Sequence, residues 1–417
     1  MQDRAPQPAI LSFEDARHVV EDHAARFAPP EAQTVDLLAA AGRVLAEPVA
    51  ADRHIPPFPR STRDGYAVRA SDLAHPPATL DVIGEIRAGE KIDNIPAHIA
   101  AGQAVAIMTG APVPAGADAV VMLEYSQESG ARVELSRSVA PGENIVPAGA
   151  EARSGSILIM RGTCLNDAAL ALAASAGQSQ LKVYRRPRVA VLTTGDEIVE
   201  VSAQPGPTEI RNSNSYSLAV QIQEAGGEPV LLPIAPDESK GLCHLIEKGL
   251  THDLLLMTGG VSMGRYDLVE QVLQELKAEF FFTGAKIQPG RPVVFGRCGS
   301  VASGRDTYFF GLPGNPVSTM VTFELFARPM LEALAGTSPR KLAFVYARLK
   351  SEIRIKTGLT RFLPATLSGE FEHSFVELVA WQGSGDIAAT ARANCYIVIP
   401  PDRERIPAGE FVPILPR

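Results

Sequence analysis

The feature that most constrains the fold is an alternation of apolar runs and amphipathic helical patterns across residues 186–336. The run Arg188–Thr193 is continuously apolar after its first residue, which is typical of a strand buried on both faces of a parallel sheet. Leu218, Ile222 and Ala225 then repeat at helical spacing. The same reasoning predicts further strands at 229–233, 253–258 and 307–312, and further helices around 242–246, 268–276 and 316–334. This order predicts βαβ units with right-handed crossovers, and therefore an α/β domain with a mostly parallel sheet.

The segments before this domain lack its regular alternation of strands and helices. Residues 1–51 and 151–185 are predicted to form a helical and extended connecting or dimerisation domain. Its helices are expected at 12–28, with Ser12 as N-cap, and at Asp167–Ser175, with Asn166 or Asp167 as cap.

Two regions have the composition of β-structure. Residues 52–150 alternate short β-type runs with Gly, Pro and Asn turns behind the proline-dense stretch 55–59, which predicts a β-rich second domain. Residues 337–417 carry β-branched runs and no helical pattern, which predicts a C-terminal β-barrel-like domain without helices.

Charge and cysteine usage exclude several classes of protein. The net charge is −8, from 39 basic and 47 acidic residues, so no basic field for nucleic acid is expected. The one tight basic cluster is Lys182, Arg185, Arg186 and Arg188, which we interpret as a solvated linker. Four widely separated cysteines support neither a disulfide framework nor a zinc site. Without an apolar signal core or a membrane-length apolar segment, the chain is expected to be cytoplasmic.

The turns after three predicted strands are polar and rich in glycine. Because the carboxyl ends of parallel strands share one edge, these turns are expected to meet there. Glycines let backbone N–H groups approach an anion, although each turn alone could be structural, with its serine as a helix cap. The candidate binding residues are Thr194, Gly195 and Asp196 in the first turn, Gly259, Gly260, Ser262 and Gly264 in the second, and Pro313, Gly314, Asn315, Pro316 and Ser318 in the third.

Acidic residues accompany these turns. Asp196, Glu197, Asp237 and Asp267 are expected at or near the same edge, and clustered carboxylates beside a phosphate loop suggest a bridging Mg²⁺. Asp237 alone is more typical of a residue at a helix N-terminus.

Basic groups could complete an oxyanion site. Lys286 and Arg291 lie in a polar corner between two β-type runs, and guanidinium groups recognise oxyanions bidentately. The turn containing Arg60, Arg63 and Asp64 could serve an oxyanion cleft or could simply end a strand. No Walker loop, dinucleotide fingerprint, nucleophile elbow or zinc-protease motif occurs.

Six ordered motifs resemble those of the molybdopterin molybdenumtransferases, the MoeA and gephyrin E-domain family. They are DGYA at 64–67, MTGAPVPAGADAVVML at 108–123, TTGDEI at 193–198, TGGVSMGRYD at 258–267, QPGRP at 288–292 and GLPGNPVS at 311–318. The resemblance implies a four-domain homodimer whose central domain has the molybdopterin-binding fold of MoaB and MogA. It also implies a cleft shared between subunits, insertion of molybdenum from molybdate into adenylylated molybdopterin with release of AMP, and Mg²⁺ dependence. Transient contact with the adenylylating enzyme or with molybdoenzyme chaperones is a further implication; nucleic-acid and membrane partners are not expected.

The resemblance assigns roles to particular residues. Asp64 and Thr109 would face the cleft from the second domain. Asp64, Glu197, Asp237 and Asp267 would be the catalytic carboxylates, with Glu197 and Asp267 as metal ligands. Ser262 and its glycines would hold phosphate, and Arg291 and Ser318 would contact the oxyanion or the pterin phosphate.

The chain departs from the family pattern at a few cationic positions. Many members carry lysine where Gln288 and Arg291 stand, and Arg60 and Arg63 lie in a turn that is usually uncharged or acidic. These changes leave open a paralogue that prefers tungstate. The sequence also leaves open a non-catalytic scaffold of the gephyrin kind and a nucleotide-processing relative on the same α/β fold.

Overall fold

The computed structural model describes residues 10–260, 268–300, 304–338, 341–370 and 373–417. The first part of the chain forms β1 (Ile10–Leu11), α1 (Phe13–Ala24), β2 (Ala32–Asp36) and β3 (Val49–Ala50), with a 3-10 helix at Leu37–Ala40. Ser12 caps α1 as predicted, because its side-chain oxygen accepts the N–H of Asp15. The helix ends at Ala24, four residues before the predicted end.

Helix α1 packs against the α/β region, although the sequence grouped residues 1–51 with the connecting domain. Its buried face, Ala16, Val20 and Ala24, lies in the same hydrophobic core as the central sheet. The Arg17 guanidinium donates to the carbonyl of Leu325 at 2.5 Å.

The β-rich region is built around one six-stranded sheet. The strands of the whole region are β4 (Arg60–Ser61), β5 (Gly65–Val68), β6 (Ala78–Ile86), β7 (Gln103–Ile107), β8 (Ala119–Met122), β9 (Ser126–Ser129), β10 (Arg132–Leu135) and β11 (Ile145–Val146). The region also has 3-10 helices at Ala70–Leu73, Ile92–Asn94 and Leu123–Tyr125. The order in the sheet is β8-β5-β7-β6-β10-β9, and β4 pairs separately with β11. The predicted β-rich character is confirmed.

The next part of the chain packs against the strands that precede the β-rich region. Strand β12 (Ile157–Ile159), helix α2 (Asp167–Ser175) and strand β13 (Gln180–Tyr184) follow. Strands β12 and β13 pair antiparallel with β3 and β2. Helix α2 has the predicted bounds, and the Asn166 side chain caps it by accepting the N–H of Ala169.

The α/β region has the predicted alternation of strands and helices. Its elements are β14 (Arg188–Thr193), β15 (Ile198–Val199), β16 (Ile210–Arg211), α3 (Asn214–Glu224), β17 (Glu228–Leu231), α4 (Ser239–Gly249), β18 (Leu254–Thr258), α5 (Leu268–Glu275), β19 (Glu279–Phe282), β20 (Gly284–Ala285), β21 (Ile287–Gln288), β22 (Val294–Ser300), β23 (Arg305–Leu312), α6 (Pro316–Thr322) and α7 (Arg328–Leu334), with a π-helical turn at Phe323–Ala327 between the last two.

The central sheet is mostly parallel, as predicted. Its order is β17-β14-β18-β23-β22-β19, in which the first four strands pair in parallel and β22 pairs antiparallel with both β23 and β19. Alternate residues of β14 enter two hydrophobic cores: Val189 and Val191 on one face, Ala190 and Leu192 on the other. Burial on both faces explains the continuous apolar run in the sequence.

The C-terminal region closes into a barrel. Its elements are β24 (Val345–Leu349), β25 (Ile353–Arg354), β26 (Thr360–Ser368), β27 (Phe375–Leu378), α8 (Ile387–Arg392), β28 (Cys395–Ile399), β29 (Arg405–Ile406) and β30 (Phe411–Pro416). Strands β26-β27-β24-β30-β28 form a ring because β28 also pairs with β26. The prediction that this region lacks helices was wrong. Helix α8 has six residues, too few for a periodic pattern, and is capped by Asp386.

The amino edge of the central sheet carries a buried ionic cluster. The Asp253 carboxylate, 8% exposed, accepts two hydrogen bonds from the Arg185 guanidinium at 2.7 and 2.8 Å. It also accepts from Arg305 at 3.1 Å and from the N–H of Arg188 at 2.8 Å. Burial would raise the pKa of Asp253, but these hydrogen bonds and charges lower it overall. The interpretation of the basic cluster as a solvated linker was therefore wrong for Arg185, which binds the sheet.

Within the described ranges, no helix has both the length and the apolar character that crossing a membrane requires.

Candidate functional site

The three glycine-rich turns lie side by side at the carboxyl edge of the central sheet. Thr193 at the end of β14 is paired with Thr258 at the end of β18, and Thr258 with Leu312 at the end of β23. The N–H of Thr194 donates to the carbonyl of Thr258 at 2.9 Å, which extends the pairing into the first turn. The predicted convergence of the turns is confirmed for the residues that the structure describes.

A first cleft of about 390 Å³ opens between the first and third turns. Its walls also include the segment that leads from β16 into α3. The cleft is lined by Thr193, Thr194, Glu197, Ile198, Ile210, Arg211, Asn212, Ser213, Asn214, Thr258, Gly259, Gly260, Pro292, Pro313, Gly314, Asn315 and Pro316.

A second cleft of about 410 Å³ lies on the other side of the first turn. It combines carboxylates with apolar side chains from α4 and α5, and is lined by Thr194, Gly195, Glu197, Asp237, Leu242, Gly260, Leu268, Val269 and Gln271.

The two clefts share Thr194, Glu197 and Gly260, which we call the ridge. The ridge depends on glycine backbone. Gly259 has φ +86°, and a Cβ there would lie 2.2 Å from the carbonyl oxygen of Thr194. Only glycine therefore lets the second turn approach the first so closely. A Cβ on Gly195 would lie 2.6 Å from Glu197 Oε2, which places this carboxylate directly over the first turn.

The carboxylates at this edge that the structure describes have no cationic partner among the described residues. Glu197 and Asp237 both line the second cleft, and Asp196 Oδ1 accepts the N–H of Asp237 at 3.0 Å. Within the described part of the chain, none of the three forms an ion pair. No group of three or more His, Cys, Asp or Glu residues there is arranged to hold a metal by protein ligands alone.

Five predicted binding residues in the described part of the chain line neither cleft, namely Thr109, Asp196, Lys286, Arg291 and Ser318. Lys286 and Arg291 are exposed, and Pro292 is the residue of their corner that reaches the first cleft. Ser318 is 4% exposed inside α6, where its carbonyl accepts the hydroxyl of Thr322 at 2.8 Å. Ser262, Gly264 and Asp267 lie outside the described residues.

Asp64 and Thr109 are brought together in the β-rich region. The Asp64 carboxylate accepts the N–H of Thr109 at 2.6 Å and its hydroxyl at 2.7 Å. These two hydrogen bonds lower the pKa of Asp64. The pair lines neither cleft of its own chain. Arg60, in the same turn, forms an ion pair with Glu151 at 3.0 Å.

Sequence reasoning missed the segment Arg211 to Asn214, which forms one wall of the first cleft. Arg211 is its exposed cation, and Asn212 and Asn214 are buried. The signal was a run of asparagine and serine before an amphipathic helix, which is equally typical of an ordinary helix cap.

The C-terminal barrel reaches the third turn. The Asn315 amide nitrogen donates to the hydroxyl of Ser384 at 3.0 Å, and the N–H of Val317 donates to the Ser384 carbonyl at 3.0 Å. A loop of the barrel thus holds one cleft residue.

Family models match most of the chain. The MoeA N-terminal region, described as domains I and II, matches residues 11–177. A probable molybdopterin-binding domain matches residues 190–333, and the MoeA C-terminal region, described as domain IV, matches residues 346–416.

Individual relatives agree with these models. The molybdopterin molybdenumtransferase of Bacillus subtilis is 35% identical over 383 residues, covering 89% of this chain and 87% of the relative. That of Haemophilus influenzae is 33% identical over 395 residues, covering 93% and 94%. The crystal structure of the molybdopterin biosynthesis MoeA protein from Pyrococcus horikoshii superposes with a TM-score of 0.78 at 28% identity, covering 98% of this chain and 100% of that one.

Proposed function

The chain belongs to the MoeA family of molybdopterin molybdenumtransferases, and we propose that it inserts molybdenum from molybdate into adenylylated molybdopterin with release of AMP. The observation that carries this proposal is the pair of clefts divided by the ridge. Adenylylated molybdopterin has two ring systems joined by a pyrophosphate. Such a ligand suits one cleft for each ring system, with the pyrophosphate over Thr194, Glu197 and Gly260.

The residues of the ridge suit the charge of a pyrophosphate. The glycine-rich backbone can present N–H groups to phosphate oxygens, and the Thr194 hydroxyl, buried and without a partner among the described side chains, can join them. Arg211 adds a cation at the wall of the first cleft.

The carboxylates fit the implied Mg²⁺. Mg²⁺ usually keeps several waters and binds through one or two carboxylates together with substrate phosphates, so a protein-only cage is not required. Glu197 and Asp237 supply oxygen donors in one cleft beside the ridge. Asp267 remains a proposed ligand on the family resemblance. When bound, Mg²⁺ would offset phosphate charge during cleavage.

The proposed reaction balances without an oxidant or a reductant. One P–O bond of the pyrophosphate breaks, its electron pair stays on the oxygen of the leaving phosphate, and a water oxygen bonds to the other phosphorus. Molybdenum gains two dithiolene sulfurs, while one oxo ligand leaves as water with the two thiol protons. The residues of the clefts orient these groups and neutralise their charge.

We also propose a homodimer in which Asp64 and Thr109 complete the cleft of the partner subunit. The pair lines neither cleft of its own chain, yet both residues are exposed and two hydrogen bonds join the turns that carry them. Mixing Glu197→Gln and Asp64→Asn subunits, each of which is expected to have low turnover by itself, tests this arrangement, because each mixed dimer regains one intact cleft. Turnover that does not rise above that of the single variants after verified subunit exchange would contradict this arrangement.

The decisive experiment measures AMP release from adenylylated molybdopterin by the purified chain in Mg²⁺, with molybdate, with tungstate and with neither. We expect release that requires molybdate. Stronger release with tungstate would favour the tungstate-preferring paralogue. Binding without release under any oxyanion would favour a scaffold, and release from ATP alone would favour a nucleotide-processing enzyme.

A further inference from the structure

One short segment ties together the three turns that form the clefts. The segment 212–215 runs from the end of β16 into the first turn of α3 and crosses the carboxyl edge of the central sheet. Its members Asn212, Asn214 and Ser215 are 6%, 8% and 2% exposed. Polar side chains this deeply buried are costly unless they form specific hydrogen bonds.

Two members of the segment hold the first strand. The Thr193 hydroxyl lies 2.9 Å from the hydroxyl of Ser215. The Asn212 amide nitrogen donates to the same Ser215 oxygen at 2.9 Å, and Asn212 Oδ1 accepts the N–H of Ser215 at 3.1 Å. This closed set fixes the end of β14 against the start of α3.

Asn214 holds the other two turns at once. Its Nδ2 donates to the hydroxyl of Thr258 at 2.9 Å and to the carbonyl of Gly314 at 2.8 Å. Both N–H bonds of the amide are used. Rotating the Asn214 amide by half a turn would place Oδ1 against the Gly314 carbonyl oxygen, so that two acceptors would face each other. The hydrogen bonds therefore determine the orientation of the amide.

Backbone pairing cannot replace these contacts. The ladder between β18 and β23 ends at the pair Thr258 and Leu312, so Gly314 lies beyond it. The distance between the second and third turns therefore depends on the side chain of Asn214. That distance sets the width of the first cleft, which both turns line.

The remaining atom of this side chain argues against a purely structural role. Asn214 Oδ1 is buried and has no hydrogen-bond partner among the described residues. An unpaired buried acceptor destabilises a fold, and in native proteins it calls for a reason other than stability. Holding two ligand-binding turns in register is such a reason.

We propose that Asn214 is a positioning residue, which sets the spacing of the turns around Thr258 and Gly314 so that the clefts accept the substrate across the ridge. Its effect on turnover rests on the proposed function, whereas its effect on the turns does not.

The test compares Asn214→Ala with Thr307→Val. Thr307 is a matched control because it is 2% exposed, belongs to the same sheet and donates its hydroxyl to the Leu250 carbonyl at 2.7 Å, but at the amino edge. Both changes remove buried side-chain hydrogen bonds. Amide hydrogen exchange in 193–197, 256–260 and 311–317, Tm, and KM and kcat for AMP release are measured on each full-length variant.

Asn214→Ala is expected to raise exchange in the second and third turns and to lower kcat/KM by about 10- to 100-fold, since small misplacements of binding groups have effects of that size. Thr307→Val is expected to lower Tm with unchanged exchange in the turns and unchanged kcat/KM.

The proposal is overturned if Asn214→Ala leaves exchange in the turns at the wild-type level, or if Thr307→Val lowers kcat/KM equally at the same loss of Tm. If Asn214→Ala does not fold, Thr258→Val is compared with Thr307→Val instead. Thr258→Val removes one of the two hydrogen bonds of Asn214 with little change in side-chain shape. Increased exchange in the turns of Asn214→Ala, together with a wild type that releases no AMP, would support the positioning role and reject the proposed function.

Discussion

The two edges of the central sheet are built on opposite principles: the carboxylate at the amino edge is buried, whereas those at the carboxyl edge are exposed. At the amino edge, the Asp253 carboxylate is surrounded by Arg185, Arg305 and a backbone N–H, so its charge is fully paired. At the carboxyl edge, Glu197 and Asp237 form no ion pair within the described ranges, and the polar oxygens of Thr194 and Asn214 have no hydrogen-bond partner there. Paired charge stabilises a fold, whereas unpaired charge in a cleft can act on a ligand. The carboxyl edge therefore differs from the amino edge in both respects, because its carboxylates are exposed and form no ion pair within the described ranges.

The largest expected effect is on stability at the amino edge. Asp253→Ala removes the carboxylate that accepts hydrogen bonds from Arg185, Arg305 and the N–H of Arg188. The Arg185 side chain, which is two-thirds buried, then has no carboxylate partner, and the free energy of unfolding is expected to fall by about 3 kcal/mol. For a folding unit of this size the Tm should fall by roughly 6–12 °C, measurable by calorimetry. The exposed pair of Asp306 with Arg297 is the control, and Asp306→Ala should change stability by about 1 kcal/mol or less. Equal Tm losses in both variants would remove the contrast between the edges.

The next effect is on turnover at the carboxyl edge. Glu197→Gln keeps the shape of a side chain that lines both clefts but removes its charge. AMP release is expected to fall by about 100-fold, equivalent to about 2.7 kcal/mol of transition-state stabilisation, while the Tm stays within a few degrees of wild type. The exposed Glu200, three residues on, lines neither cleft and provides the control variant Glu200→Gln. Wild-type turnover in Glu197→Gln would mean that the unpaired carboxylate is not functional.

Lowering the pH should weaken the ionic cluster around Asp253 at the amino edge. Because the pKa of Asp253 is lowered in the folded protein, its pairing contributes stability above the ordinary aspartate pKa and loses that contribution as pH falls through the folded pKa. The Tm difference between wild type and Asp253→Ala should therefore stay constant from neutral pH down to about pH 4–5 and shrink below that. Calorimetry from pH 7 to pH 3 measures this difference in Tm. A difference that already decreases near pH 6 would mean that a titratable group other than Asp253 is responsible.

The smallest effect concerns the contact between the barrel and the third turn. Ser384→Ala removes the acceptor of the Asn315 amide but keeps the carbonyl that binds Val317. Loss of one neutral hydrogen bond should raise KM about two- to fivefold with kcat nearly unchanged, and Ser384→Thr should restore it. Ser368→Ala, at an exposed serine of the same barrel, should behave as wild type. An unchanged KM in Ser384→Ala would show that the barrel does not influence the cleft.

Much of the fold was readable from local patterns. Burial on both faces required the continuous apolar run Arg188–Thr193, and the cap at Asn166 fixed the start of α2. Helix α8 was not predicted because six residues carry too little periodicity. The packing of α1 onto the α/β core depends on contacts such as Arg17 with Leu325, which lie 308 positions apart.

For the site, the sequence by itself determined which turns meet, because parallel strands place all their carboxyl ends at one edge. It thereby identified Thr194, Glu197, Gly259, Gly260 and the turn from Pro313 to Pro316. Only the tertiary structure decided that Asn212 and Asn214 build a wall of the cleft, that Ser318 is enclosed in α6 and that Arg185 binds Asp253. Local sequence encodes strand ends and helix caps through short-range geometry. Which polar side chain meets which partner is set by long-range packing, where the same asparagine can cap a helix or hold two turns together.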